Sequence, residues 1–406
     1  MMTSVPDLAN GTSPESRQLG PLGDRLFRAG LVAGGAGIAA AGAIAVVADG
    51  FDRFLFAWLL NFAFFLSLAL GALFMVVLHH LTRAGWSVVV RRLAEGLAST
   101  LPLLALLFVP VLLGIKHLYH WSVPALVAND PVLLAKASFL NIPFFVVRWV
   151  VYFASWIVTA RYFVGRSLAQ DTSGDVGLTV AMQKAGAPAM LIFGLTSTFA
   201  AVDLLLSLDA HWYSTIFGVY FFAGCVVAMV AAIILTAYGL QRAGRLHQSI
   251  TVEHYHDLGK LLFAFVVFWA YIAFSQYMLI WYANIPEETG WLLRRQTHGW
   301  GGVGLALILG HFVLPFVVLL SRTPKRRPHL LAVAAAWLLA MHWLDLYWVV
   351  MPEASAERTG VHAVDVALFV GFGGLFVAAA VRALRNCSLV PERDPRLAES
   401  LHFENA

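Results

Sequence analysis

Long apolar runs separated by short polar junctions set the pattern of this sequence. Ten runs meet the ~20 residues a helix needs to cross a bilayer, near 30–48, 54–78, 96–115, 142–160, 187–208, 215–239, 261–282, 301–320, 330–350 and 364–383. That pattern predicts an all-α membrane protein of ten transmembrane helices. The junction inside FAAVDLLLSLDAHWYSTIFGVYFFAG, residues 199–224, holds Asp209, His211, Trp212, Ser214 and Thr215, and reads as a tight helical hairpin at a membrane surface. Residues 1–24, rich in Pro, Gly, Ser and Thr, predict a disordered tail; 25–386 form the membrane domain and 387–406 a second tail. Arg25 and Arg28 ahead of an apolar stretch ending in AVVAD would also suit a signal peptide, but the basic region sits late and many spans follow.

Composition agrees with the pattern. Of 406 residues 60% are hydrophobic and 12% charged, which excludes the large soluble class and implies lipid, not nucleic acid, as the surroundings. Cys225 and Cys387 are too few to ligate an iron–sulfur cluster or attach a c-type haem, so any such centre belongs to a partner. The net charge of +4 matters less than its placement. Most of the 27 Lys and Arg fall in the tails and the even-numbered connections, which predicts that both termini are cytoplasmic.

The first span carries Gly30, Gly34, Gly35, Gly37 and Gly42, and the last Gly371, Gly373 and Gly374, as in helices that pack closely against this or another subunit. Two long connections on the outer face, 116–140 and 283–300, are expected docking surfaces. Asn-Ile-Pro occurs at 141–143 and 284–286, an offset of four spans that would suit two related four-helix units or arise by coincidence.

Ionisable residues inside apolar runs are the candidate chemistry. A charge at this depth costs roughly 2.5–3.5 kcal/mol to insert, so it needs a partner, a proton or a function. At ~1.5 Å per residue, Arg148, Asp203 and Asp345 each lie ~8 Å below the outer surface. Asn61, Gln276 and Tyr277 fall close by, His342 one helical turn from Asp345, and His311 near the midplane. One shared cavity, with Arg148 near Asp203 or Asp345, would remove most of the burial cost. A carboxylate beside an imidazole can accept and relay protons from a hydroquinone. The competing reading is polar glue between helices. Haem would need paired axial His residues at one depth, which His79, His80, His311 and His342 do not offer. A secondary transporter would use buried charges too, but breaks inside the spans are sparse, with Pro188 and Pro315 the main cases. On the cytoplasmic side Glu95, Asp257 and His79 mark a proton entry, with Thr196, Ser197, Thr198, Tyr271 and Ser275 available to extend it; most residues of that cluster are expected to be solvated.

The segments DLLLSLDAHWYSTIFGVYFFAG, HDLGKLLFAFVVFWAYIAFSQYMLIWYANIPEETGW and HWLDLYWVVMP resemble the NrfD or polysulfide-reductase-type integral membrane subunits. Among these the chain is most similar to the second, shorter membrane subunit of bacterial alternative complex III. The resemblance covers most of 140–352. It implies two four-helix bundles plus two flanking helices in the bacterial inner membrane, with no redox centre bound to this chain. The implied partners are a periplasmic iron–sulfur/molybdopterin-type subunit, multihaem cytochromes c and a paralogous membrane subunit. The implied function is quinol oxidation in a respiratory chain, with Asp203, His342 and Asp345 lining a quinol pocket or proton passage. A purely structural anchor for the redox subunits is the alternative.

Overall fold

The structure, a computed structural model, describes residues 16–357 and 359–405. The expected disordered tail therefore falls mostly outside the described residues, and the first helix already begins at Pro21. Among the described residues ten helices are long and apolar enough to span a membrane: α1 (Pro21–Ala48), α2 (Gly50–Leu81), α3 (Val88–Leu113), α4 (Ile142–Ser173), α5 (Val176–Leu208), α6 (Phe217–Arg242), α7 (Val252–Ala283), α8 (Trp300–Leu320), α9 (Pro328–Ala354) and α10 (Ala363–Leu384). The chain is a multi-span helical membrane protein.

Several helices outrun the apolar stretches that announced them. α4 and α5 are 32 and 33 residues long. At ~1.5 Å per residue each approaches 50 Å, well past a ~30 Å hydrocarbon core. Hydropathy ends at the membrane surface while the helix continues beyond it, carrying Arg161, Arg166 and Lys184. The pair closes at Gly174, whose φ of 69° is left-handed, followed by Asp175, which caps α5 by accepting from the Gly177 N–H at 2.7 Å.

α2 and α6 form the centre and are almost wholly buried across the membrane, which is why their sequences are apolar on every side. α2 gathers α3, α4 and α5 into one four-helix bundle; α6 gathers α7 and α9, with α8 packed on both, into a second. The bundles meet along α2–α6 and α2–α9, and α1 and α10 flank them as a pair. That pair stays within this chain. A Cβ on Gly37 would lie 2.6 Å from Gly371 Cα and 2.7 Å from the Ala367 carbonyl, so the helices meet backbone to backbone.

The two Asn-Ile-Pro tripeptides do different jobs. Asn141 is the N-cap of α4, accepting from the Phe144 N–H at 2.9 Å, whereas Asn284 ends α7 with a left-handed φ of 49°. Both nevertheless lie between the second and third helices of their bundle, so the offset of four spans is kept while the capping roles differ.

Described residues 16–20 and 385–405 share one end of the molecule, where the Leu389 N–H donates to the Arg17 carbonyl at 2.7 Å. The C-terminal segment lies across that end as a strap. Asp394 accepts from Arg91 at 2.7 Å, Ser400 Oγ donates to the Trp86 carbonyl at 2.6 Å, and Asn405 accepts from Lys260 at 2.6 Å.

Candidate functional site

In the second bundle, α9 sets His342 and Asp345 three residues apart on one face, both buried. α8 faces them with an interruption. Residues Ile308–Val313 are wound as a π-helix, a form that concentrates at functional sites. Pro315 follows; in the register in which the Leu314 N–H bonds the Leu309 carbonyl, it lacks the N–H that would bond the Gly310 carbonyl, which loosens the turn. The Trp337 indole donates to the Gly310 carbonyl at 2.7 Å and so repairs part of the loss.

The interruption turns His311 inward. It is fully buried, its ring lies flat on Trp269 at 3.9 Å between centroids, and neither ring nitrogen has a hydrogen-bond partner. His342 stands 6.5 Å away, ring to ring. Its Nε2 is 2.8 Å from Ser67 Oγ on α2, while its Nδ1 is unpartnered. Gly224 on α6 makes room for it, since a Cβ there would lie 2.6 Å from His342 Cε1.

Asp345 closes the group. Its carboxylate accepts from the Tyr220 hydroxyl and, at 3.1 Å, from the Trp269 indole N–H. Trp269 thus bonds the acid with its edge and stacks on His311 with its face. Among the described residues no Lys or Arg forms an ion pair with Asp345. An unsatisfied buried polar group costs ~1–3 kcal/mol, and three unpartnered imidazole nitrogens in one place are more than packing requires.

Asp203, at a similar depth in the first bundle, is held differently. Arg148 grips it with Nε at 2.7 Å and a second guanidinium nitrogen at 2.8 Å, and Tyr152 donates to it at 2.9 Å. The remaining guanidinium nitrogen bonds the Phe139 carbonyl at 2.8 Å, and the cation lies over the Phe139 ring at 3.9 Å. Nearby, Tyr119 donates to the Leu204 carbonyl at 2.9 Å; burial and then the Asp203 charge push its hydroxyl well above the usual tyrosine range.

The single cavity expected from the sequence is therefore divided. Arg148 belongs to Asp203, not Asp345, and these groups share no hydrogen bond with the Asp345 cluster. Asn61 joins a third group: it accepts from the Trp343 indole at 3.1 Å and donates to the backbone carbonyls of Ala57 and Asp365, whose side chain pairs with Arg53. Gln276 accepts from Ser214 at 2.9 Å at the α5–α6 junction. Tyr277 is 42% exposed and Tyr271 64%, so both lie on the outside of the bundle and off any internal path.

At the end bearing the termini, Glu95 and His79, in a cluster expected to be mostly solvated, are instead buried. Glu95 is fully inside, bonded to Arg91 at 3.0 Å and 3.3 Å from Arg92, which also pairs with Asp171 at 2.6 Å. His79 sits between Ser87 at 2.7 Å and Arg91 at 2.9 Å. α3 begins at Val88, eight residues before its apolar run, and so draws these charges into the fold. Asp257 pairs with Lys260. Behind this cluster, burial raises the Cys387 thiol above its ordinary value.

The opposite end is also fastened. Trp212 and Trp291 stack at 4.0 Å, Arg294 pairs with Asp209, and Arg295 donates to the Val349 carbonyl at 2.6 Å and to Glu353 at 3.0 Å. Burial pulls Arg295 down to about 10. The connection 283–300, expected to be a docking surface, spends much of its polarity on the chain's own hairpin.

Sequence reading missed Ser67, Tyr152, Tyr220 and Trp269 as site residues, and Arg53 with Asp365 as a buried pair. Uncharged polar residues inside apolar runs carry no hydropathy signal. Arg53 and Asp365 sit at span ends, where charge is unremarkable. No family model matches the chain, and no curated protein matches it.

Proposed function

We propose that the chain is a proton-handling membrane subunit of a quinol-oxidising respiratory complex of the NrfD-like kind, seated in a bacterial inner membrane with its termini cytoplasmic. The observation that carries this reading is the Asp345 group: a buried carboxyl without a cation, beside two imidazoles of which one has no partner at either nitrogen. Oxidation of a quinol releases two electrons and two protons. The electrons pass to an iron–sulfur or haem centre of a partner subunit. The protons need acceptors in the low-dielectric interior, and Asp345, His342 and His311 supply a carboxylate and imidazoles within one packed cluster.

The test is Asp345→Asn in the intact complex. General acid–base groups contribute about 10²–10⁴-fold, so quinol turnover or its coupled proton movement is expected to fall at least about tenfold with assembly intact. Unchanged turnover together with unchanged proton stoichiometry would sink the proposal.

A second reading, a scaffold for redox subunits, is favoured by the Arg148–Asp203–Tyr152 group, whose bonds are made within the fold. Under it Asp345→Asn alters complex yield and leaves specific activity per assembled complex alone.

A further inference from the structure

A cleft of about 290 Å³ opens between the first turn of α2, the last turn of α9 and the connection into α10. Asp52, Arg53, Phe56, Tyr347, Met351 and His362 line it, none of them part of the Asp345 group or the Arg148–Asp203 pair. Asp52, Arg53, Met351 and His362 lie within about a turn of a span end, the level at which helices leave hydrocarbon and lipid head groups begin.

The charges in the cleft are of both signs and adjacent. Arg53 directs one nitrogen to Asp365 and another to the Met351 sulfur, and its Nε is buried without a partner. A thioether is a weak acceptor, so this guanidinium, with five donors, retains capacity for an oxyanion. Asp52, the preceding residue, has a side chain 73% exposed and commits one oxygen to His117 at 2.7 Å, leaving the other for a donor. A purely anionic ligand would face the carboxylates of Asp52 and Asp365. An uncharged ring would answer neither charge. A phosphodiester with a primary ammonium two carbons away offers both an oxyanion and an N–H donor. At the α1–α2 turn, a few residues ahead of Asp52 in the chain, Val46, Val47 and Phe51 are 88%, 85% and 58% exposed, an apolar surface available to the chains attached to such a head group.

We propose that the cleft binds a zwitterionic phospholipid of the ethanolamine class, its phosphate on Arg53 and its ammonium on Asp52. A choline head group shares the phosphate but has no N–H to give Asp52. Selectivity therefore resides in the carboxylate, and overall lipid affinity in the guanidinium.

The test is native mass spectrometry of the full chain purified in detergent, with dioleoyl phosphatidylethanolamine, phosphatidylglycerol and phosphatidylcholine added at equal concentration. Phosphatidylethanolamine is expected to be retained in about tenfold excess over the other two, the value of one charge-assisted contact. Asp52→Asn should lower it to the phosphatidylcholine level while leaving phosphatidylcholine unchanged. Arg53→Lys, which keeps the charge opposite Asp365, should weaken phosphatidylethanolamine and phosphatidylcholine together. Equal retention of the three lipids by the unaltered protein would overturn the proposal. So would an ethanolamine preference that survives Asp52→Asn, or displacement of the lipid by an added isoprenoid quinol. If Arg53→Lys does not fold, the lipid comparison and Asp52→Asn decide alone.

Discussion

Two aspartates at similar depth illustrate what a single residue can and cannot announce. Asp203 and Asp345 both stand in apolar runs about five residues from a span end, and hydropathy alone gives them the same weight. Their surroundings separate them. Asp203 is neutralised by a two-pronged arginine, while Asp345 has two neutral donors and imidazole neighbours. Asp203→Asn is accordingly expected to act on stability: breaking a buried pair costs about 3–5 kcal/mol because Arg148 is left uncompensated. Thermal unfolding in detergent should show the loss, with quinol turnover per surviving complex unchanged. A fall in turnover without a fall in unfolding temperature would transfer the proton role to Asp203. The depth of each acid was legible in the sequence because charge inside hydrocarbon is rare. The partners were not, because they come from other helices and include Tyr220 and Trp269, whose residue types are at home in any span.

At the scale of elements, ten helices were readable and their ends were not. An apolar run reports the thickness of lipid, whereas a helix ends where a cap or a left-handed residue stops it, as at Gly174. The π-helical turn at 308–313 left only Pro315 as a trace, since the indole that serves its Gly310 carbonyl comes from Trp337 on α9. Glycines in α1 look alike in sequence yet divide by facing: Gly30, Gly34 and Gly37 touch α10, whereas a Cβ on Gly35 or Gly42 would meet nothing within 4 Å. Gly37→Val should therefore cost roughly 1–3 kcal/mol through overpacking and raise hydrogen exchange in α10, while Gly35→Val leaves both unchanged. Equal effects from the two substitutions would mean that α1 and α10 are not packed on this stripe.

At the scale of the whole molecule, the two-bundle plan agrees with expectation, and the closure of the end that carries the termini was not visible. Arg91, Arg92 and Glu95 look like a solvated surface turn in sequence. They become interior only because α3 extends to Val88 and the strap brings Asp394 over them. Removing residues 389–406 should leave Arg91 with one fewer carboxylate at full burial and increase hydrogen exchange across 86–95. Exchange unchanged by the truncation would show that the strap is not what covers this cluster.

The pairing of α1 with α10 also has a consequence for how the chain is made. These helices touch along their glycines, yet everything between Ala48 and Ala363 is translated before the second of them exists. At roughly 5–20 residues per second that interval lasts tens of seconds. Throughout it the nascent first helix must hold its glycine-lined face against lipid or against the insertion machinery. Assembly then includes an act of recognition between two helices of the same polypeptide made that far apart in time.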